Sequence, residues 1–192
     1  MAKNPALVEY LSTRRSVPIA FLQEPGPTKD QLNQILSIGM RVPDHGKLCP
    51  WRLVLIMHEG RQQAGEKLAQ IALANDPDLS AEQLEKERTQ FLPAPVTIGV
   101  LSTPVEHKKV NEFEQILSAG NVAFNLVHGA NALGFGAHWV TRWFSYDPQA
   151  AAMLGAREGE KFVGFVHIGT PDTRLEDKPK PALEKHVSMW AS

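Results

Sequence analysis

What this chain has little of narrows it before any motif does. It has a single cysteine, Cys49, in 192 residues, so no disulfide can form within it, which fits a reducing compartment. It has no apolar run approaching the roughly 20 residues a membrane-spanning helix needs. Its opening, Met-Ala-Lys-Asn-Pro, lacks the apolar core of a secretory signal, and the expected location is the cytoplasm. It also lacks an excess of charge of either sign: 20 basic residues face 21 acidic ones, spread along the chain, so there is no concentrated basic face for nucleic acid. Repeats and low-complexity tracts are missing, which removes solenoid and disordered classes. One domain, 1–192, is the expectation, and at this length it buries about 70% of its unfolded surface.

What is present is an alternation of helical and strand patterns. Asn4-Pro5 reads as an N-cap and first helical position, with Leu7, Tyr10 and Leu11 at helical spacing as far as Thr13. Pro18, Pro25 and Pro27 keep the next stretch loop-like. Thr28 with Gln31 forms a capping-box pattern that opens a second helix, expected to run until Pro43 stops it. Trp51–Met57 is a near-continuous apolar run, expected as a strand covered on both faces. A helix follows over 59–75, broken by Asp76-Pro77. Ser80 with Gln83 opens a charged helix to about Leu92, and Pro95–Leu101 reads as a second buried strand.

The longest periodic stretch, Asn111 to Leu133, predicts a helix of roughly 35 Å. Ser118, Ala119, Gly120, Ala123, Gly129 and Ala130 make its inner positions small. An interior glycine costs on the order of 1 kcal/mol of helix propensity, so two of them suggest that something packs close to the backbone. Small residues of this kind would let two copies meet across a twofold axis. Gly134 fits the C′ stop. Strands are expected over 135–141 and 162–168, with a short helix capped by Asp147-Pro148 and ending at Gly155. Beyond Gly169-Thr170-Pro171 the chain is charged and proline-rich without a pattern of its own. Gly134-x-Gly136 lies between helix and strand, the reverse of the dinucleotide-binding order, and is no Rossmann fingerprint. The class is α+β, a central sheet wrapped by helices.

Chemistry concentrates at three places. Arg14-Arg15-Ser16 puts two guanidiniums and a hydroxyl at a helix-to-loop junction, a grip suited to phosphate; the same arginines would also neutralise a helix C-terminus. Arg41-Val42-Pro43-Asp44-His45 leads through Cys49-Pro50-Trp51 into a strand. Asp44 and His45 lack a third ligand at metal spacing, so no zinc site is expected. Cys49 beside His45 lacks an orienting third group, and a buried inert thiol is the simpler reading. His138, Trp143 and Phe144 fit core packing, the last two equally the wall of a pocket. Glu82–Arg88 fits a solvated helical face, with the alternative that 76–92 forms a lid; Lys178 and Lys180 fit a solvated tail.

The order Arg-Arg-Ser, helix, Arg-x-Pro-Asp-His, Pro-Trp, strand resembles the FMN-dependent nitroreductase family, specifically its short bacterial branch, from Arg14 to Pro171. The resemblance implies a mostly antiparallel sheet wrapped by helices, an intertwined homodimer and FMN at the subunit interface. It implies that Arg14, Arg15 and Ser16 hold the FMN phosphate and ribityl chain, and that Arg41 and His45 reach the same flavin from the partner subunit. Trp139, Val140 and Thr141 would lie against the flavin edge, Arg174 would close around the phosphate, and Gly129, Ala130, Asn131, Ala132, Leu133 and Gly134 would meet NAD(P)H. The residues 172–192 would pack on the partner subunit. The implied reaction passes hydride from NAD(P)H through FMN to nitroaromatic, quinone or similar acceptors by a ping-pong mechanism, with chemistry at flavin N5 and no catalytic side chain. This chain departs from the family pattern at Pro18, where many members carry a base, and at Cys49, where many carry glutamine. Those departures leave open a protein that binds FMN without turnover; a specialised flavin enzyme of dehalogenation or flavin breakdown is a separate alternative within the same resemblance.

Overall fold

The structure is a computed structural model describing residues 2–173, 175, 176 and 178–190. The chain divides into two units, residues 16–173 and residues 1–15 with 174–192. In the second unit, helix α1 (Pro5–Thr13) is capped as expected: the Asn4 side chain accepts from the Leu7 N–H at 3.2 Å, and Pro5 sits in its first turn. The Arg14 N–H closes its C-terminus on the Tyr10 carbonyl at 2.8 Å.

The larger unit is built on an antiparallel sheet. Its strands are β1 (Leu22–Gln23), β2 (Trp51–Met57), β3 (Val96–Ser102), β4 (Gly136–Val140) and β5 (Lys161–Pro171). The order is β1-β5-β3-β2, and β4 also pairs with β5. β4 pairs with residues 165–169 of β5 and β1 with residues 170–171, so the two share one edge in succession. Two expectations change here. β1 was not foreseen among its flanking prolines, because two residues carry no period to read. β2 is an edge strand rather than one covered on both faces; only Ile56 is buried in it.

Helices cover both faces. α2 (Lys29–Gly39) and α5 (Glu112–Ala132) pack on one side, where Ile35, Leu126, Val122, Ile98 and Ile168 meet. α3 (Glu59–Asn75) and α6 (Pro148–Met153) lie on the other, over Leu68, Phe91, Phe144 and Phe165. α4 (Ala81–Arg88) packs against α3. The capping boxes at Thr28 and Ser80 form as read. α2 ends at Gly39, four residues before Pro43: the Met40 N–H already bonds the Leu36 carbonyl and the Arg41 N–H the Ile38 carbonyl.

The small residues of α5 serve this chain's own packing. Ser118, Ala119, Ala123, Gly129 and Ala130 are buried, and a side chain at Gly129 would lie 3.3 Å from the Ile35 carbonyl and Ile38. Gly120 is different, with nothing among the described residues within 4 Å of where its Cβ would be. The face of α5 turned outward carries Phe113, Leu117 and Phe124, all exposed.

Candidate active site

β4 gathers the central part of the site. The Val17 N–H donates to the Ala137 carbonyl at 3.0 Å, and His138 Nδ1 bonds the Val17 carbonyl at 2.8 Å. A carbonyl only accepts, so that ring nitrogen carries the proton. Ser16, exposed and next to Val17, is thereby fixed beside the start of β4. His138 thus has a specific partner, beyond the core packing its position suggested.

One and three residues beyond His138, Trp139 on β4 and Thr141 just past its end line a cavity of about 730 Å3 between the N-terminal half of α5 and the end of the sheet. Its walls are mainly apolar, with Leu117, Phe124, Tyr146, Phe162 and Val163 around the open side of Gly120. β5 bulges at this point, where its register with β3 shifts next to Gly164. Gly164 has φ +141°, and a Cβ there would overlap the Trp139 ring; only glycine satisfies both demands. Trp139 Nε1–H then donates to the Val163 carbonyl at 3.2 Å. Polar groups are few: Asn121 and Ser145 on the wall, and Lys161, whose ammonium pairs with Glu112 at 3.1 Å. The Ser102 hydroxyl lines the cavity, buried and without a hydrogen-bond partner among the described residues.

An apolar slot of this size with sparse polar groups suits a flat aromatic ring system. A flavin meets that description in its ring, and the exposed Ser16 hydroxyl beside β4 suits its polar chain. The residues of the larger unit therefore fit the ring of FMN.

A second, smaller cavity of about 220 Å3 is lined by Pro43, Asp44, His45, Glu114 and Ser118, and shares Leu117 and Asn121 with the first. Arg41 and His45 are exposed, and the loop carrying them is tightly held. Asp44 accepts from the Leu48 and Cys49 N–H groups at 3.2 and 2.8 Å. Lys47 and Cys49 have φ of 55° and 48°, a left-handed backbone that costs about 1–2 kcal/mol for residues other than glycine. Cys49 is exposed rather than buried; desolvation and the Asp44 carboxylate push its thiol up, which disfavours the nucleophilic thiolate. His45 Nδ1 lies 2.9 Å from Glu114, and that contact holds the Glu114 carboxyl below its ordinary value.

Arg14 and Arg15 lie in the smaller unit, where Arg15 donates to the Glu176 carbonyl. Arg174 lies outside the described residues. Among residues 129–134, Gly129 and Ala130 are buried, Leu133 packs on the core, and Ala132 and Gly134 are exposed. Asn131 donates to the Phe135 carbonyl at 2.9 Å. Phe144 belongs to the core, and Trp143 covers it with its N–H on Glu87 at 2.8 Å. That bond and the Arg88–Glu66 pair at 3.2 Å tie α4 down. Among the described residues no cluster of His, Cys, Asp and Glu could hold a metal ion, and no helix is long and apolar enough to cross a membrane. Glu114, Asn121 and Ser102 escaped sequence reasoning, since each faces the site through contacts distant in the chain.

Comparison with known proteins converges on one family. The Nitroreductase family pattern matches residues 11–170. The chain is 38% identical over 167 residues to the Escherichia coli (strain K12) protein named "Putative NAD(P)H nitroreductase YdjA", covering 87% of this chain and 89% of that protein. In fold it is similar to a nitroreductase-like family protein from Bacillus cereus, with TM-score 0.80 at 20% identity and full coverage of both chains. It is also similar to a nitroreductase with bound FMN from Bacteroides fragilis NCTC 9343, with TM-score 0.74 at 21% identity, covering 98% of this chain and 100% of the other.

Proposed function

The chain belongs to the nitroreductase family, and on that footing we propose that it is an FMN-dependent oxidoreductase taking hydride from NADH or NADPH and reducing nitroaromatics, quinones or similar electron-poor acceptors. The observation that carries this reading is the continuity of β4. The strand that fixes Ser16 through Val17 goes on to line the 730 Å3 apolar cavity with Trp139 and, just past its end, Thr141. A polar anchor and a ring-shaped slot on one strand are what a phosphate-bearing flat cofactor requires.

In this assignment Arg14, Arg15 and Ser16 bind the phosphate and ribityl chain, with Arg174 closing around them. Their guanidiniums offer forked, permanently charged donors, and the hydroxyl adds one more. Trp139, Val140 and Thr141 border the ring, while Phe124, Phe162 and Val163 exclude water from it. When bound, the flavin supplies two-electron hydride chemistry at its N5. The protein's own residues bind, orient and desolvate, and none acts as a nucleophile. Ala132 and Gly134 give the exposed part of the 129–134 stretch assigned to the nicotinamide cofactor. A slot shared by donor and acceptor gives ping-pong kinetics.

The working form is a homodimer of single-domain chains in the cytoplasm, with Arg41 and His45 serving the partner's flavin and residues 172–192 lying on the partner. The outward apolar face of α5, Phe113, Leu117 and Phe124, supports that assembly, because patches of this kind mark interfaces. Anaerobic mixing of the FMN-loaded protein with NADPH or NADH tests the function. The flavin absorbance bleaches and returns on adding a quinone. An absorbance that stays constant with both nucleotides would refute it.

A further inference from the structure

Three side chains of α5 meet one neighbouring segment in order. Asn125 Nδ2 donates to the Ile38 carbonyl at 2.6 Å and the Arg41 carbonyl at 3.2 Å. Ser118 Oγ donates to the Pro43 carbonyl at 2.6 Å. Glu114 reaches His45 at 2.9 Å. The spacings of four and seven residues put all three on one stripe of the helix. This stripe runs beside the segment that leaves α2, donating to the Ile38 carbonyl near the end of that helix and to the Arg41 and Pro43 carbonyls beyond it. The loop beyond it contains two left-handed non-glycine residues, Lys47 and Cys49, a conformation that persists only where the surroundings over-determine it, and that gathers at ligand sites.

Glu114 sets the chemistry of the last rung. Its carboxyl is held low by the bond to His45, so it is ionised and can only accept. His45 Nδ1 must then carry the proton, and the other ring nitrogen, Nε2, is left for a ligand in every charge state of the ring. We infer that Glu114 is a positioning residue that fixes the tautomer and orientation of His45, so that Nε2 is the atom presented to a hydroxyl of the cofactor's ribityl chain, a group that can donate to the bare nitrogen or accept from it when protonated. This rests on the assignment of His45 to the flavin. The same arrangement orders ligating histidines, whose second nitrogen is held by a carboxylate. Glu114 and His45 are 69 positions apart in sequence, so no local constraint explains their meeting.

The test compares the full-length protein with Glu114→Ala and Glu114→Gln. Nitrogen-15 NMR of the ring reports which nitrogen is protonated, with or without FMN. The unchanged protein shows His45 protonated at Nδ1; Glu114→Gln keeps that state, because its amide oxygen still accepts, and Glu114→Ala loses it. Titration with FMN, followed by flavin fluorescence, then shows affinity about tenfold weaker in Glu114→Ala, as expected for the loss of one charge-assisted hydrogen bond. A His45 protonated only at Nε2 in the unchanged protein overturns the inference outright. So does FMN affinity that is equal in the unchanged protein and Glu114→Ala. An unchanged protein that takes up no FMN overturns the flavin assignment instead, while the NMR result still decides the Glu114–His45 pair.

Discussion

Lowering the pH from 7 to 5 should destabilise this protein through one buried histidine. His167 on β5 is 1% exposed, hydrogen-bonded at Nδ1 to Thr97 Oγ1 at 2.9 Å and stacked on Phe91 with ring centroids 6.2 Å apart. Burial, and then the nearby His138 and Arg142, lower its pKa from 6.5 to about 3. The folded state therefore keeps His167 neutral where the unfolded chain protonates it. Stability conferred by the neutral ring is complete above about pH 6.5 and is lost as the pH falls, because the unfolded chain then binds the extra proton. At pH 5 the loss is about 2 kcal/mol, from 1.5 pH units below 6.5 at about 1.4 kcal/mol each. For a chain of this size, that lowers Tm by roughly 4–8 °C. Other groups titrate over the same range, so the assay is differential: thermal unfolding at pH 7 and pH 5 for the native sequence and His167→Gln. The substitution lowers Tm at pH 7, but its further fall to pH 5 is smaller by that amount. Equal falls in the two proteins would refute the reasoning.

Gly65→Ala should be destabilising by roughly 2 kcal/mol, because its Cβ would overlap the Arg88 carbonyl, backbone that a side-chain shift cannot relieve; an unchanged urea midpoint would contradict this. Arg52→Met should cost about 2 kcal/mol, since it strips Glu160 of its guanidinium and leaves a carboxylate with 10% of its side chain exposed; chemical denaturation reads the loss. Phe165→Ala, emptying a fully buried site ringed by Phe91, Phe144 and Phe162, should cost about 3–5 kcal/mol by the same method. His138→Phe should weaken FMN binding by several-fold, because the Val17 carbonyl loses its donor and the loop bearing Ser16 loosens; fluorescence titration measures it.

The parts of the fold written in local chemistry were legible. The Asn4, Thr28, Ser80 and Asp147 caps each act within three residues, and the helices begin where they stand. Gly134 takes its left-handed φ of 84° at the end of α5. Elements decided by distant contacts were not. The pairing of Leu22 and Gln23 with Thr170 and Pro171 has no sequence period, and the edge position of β2 depends on strand order that its apolar run cannot encode. The early end of α2 shows only in its last backbone bonds, Met40 N–H to the Leu36 carbonyl and Arg41 N–H to the Ile38 carbonyl, with Asn125, some eighty residues on, also donating to the Ile38 carbonyl. The site divides the same way. Its charged and aromatic residues form a readable order along the chain. The bond of His138 to Val17, the bulge that admits Trp139, and the Glu114–His45 pair arise only when separate segments meet.

Equilibrium titration of the flavin-free protein with FMN measures the central claim most directly. The account predicts saturable quenching of flavin fluorescence at one FMN per chain, weakened by Arg14→Ala without loss of thermal stability. Fluorescence that stays proportional to added FMN, with no break at any protein concentration, would contradict it.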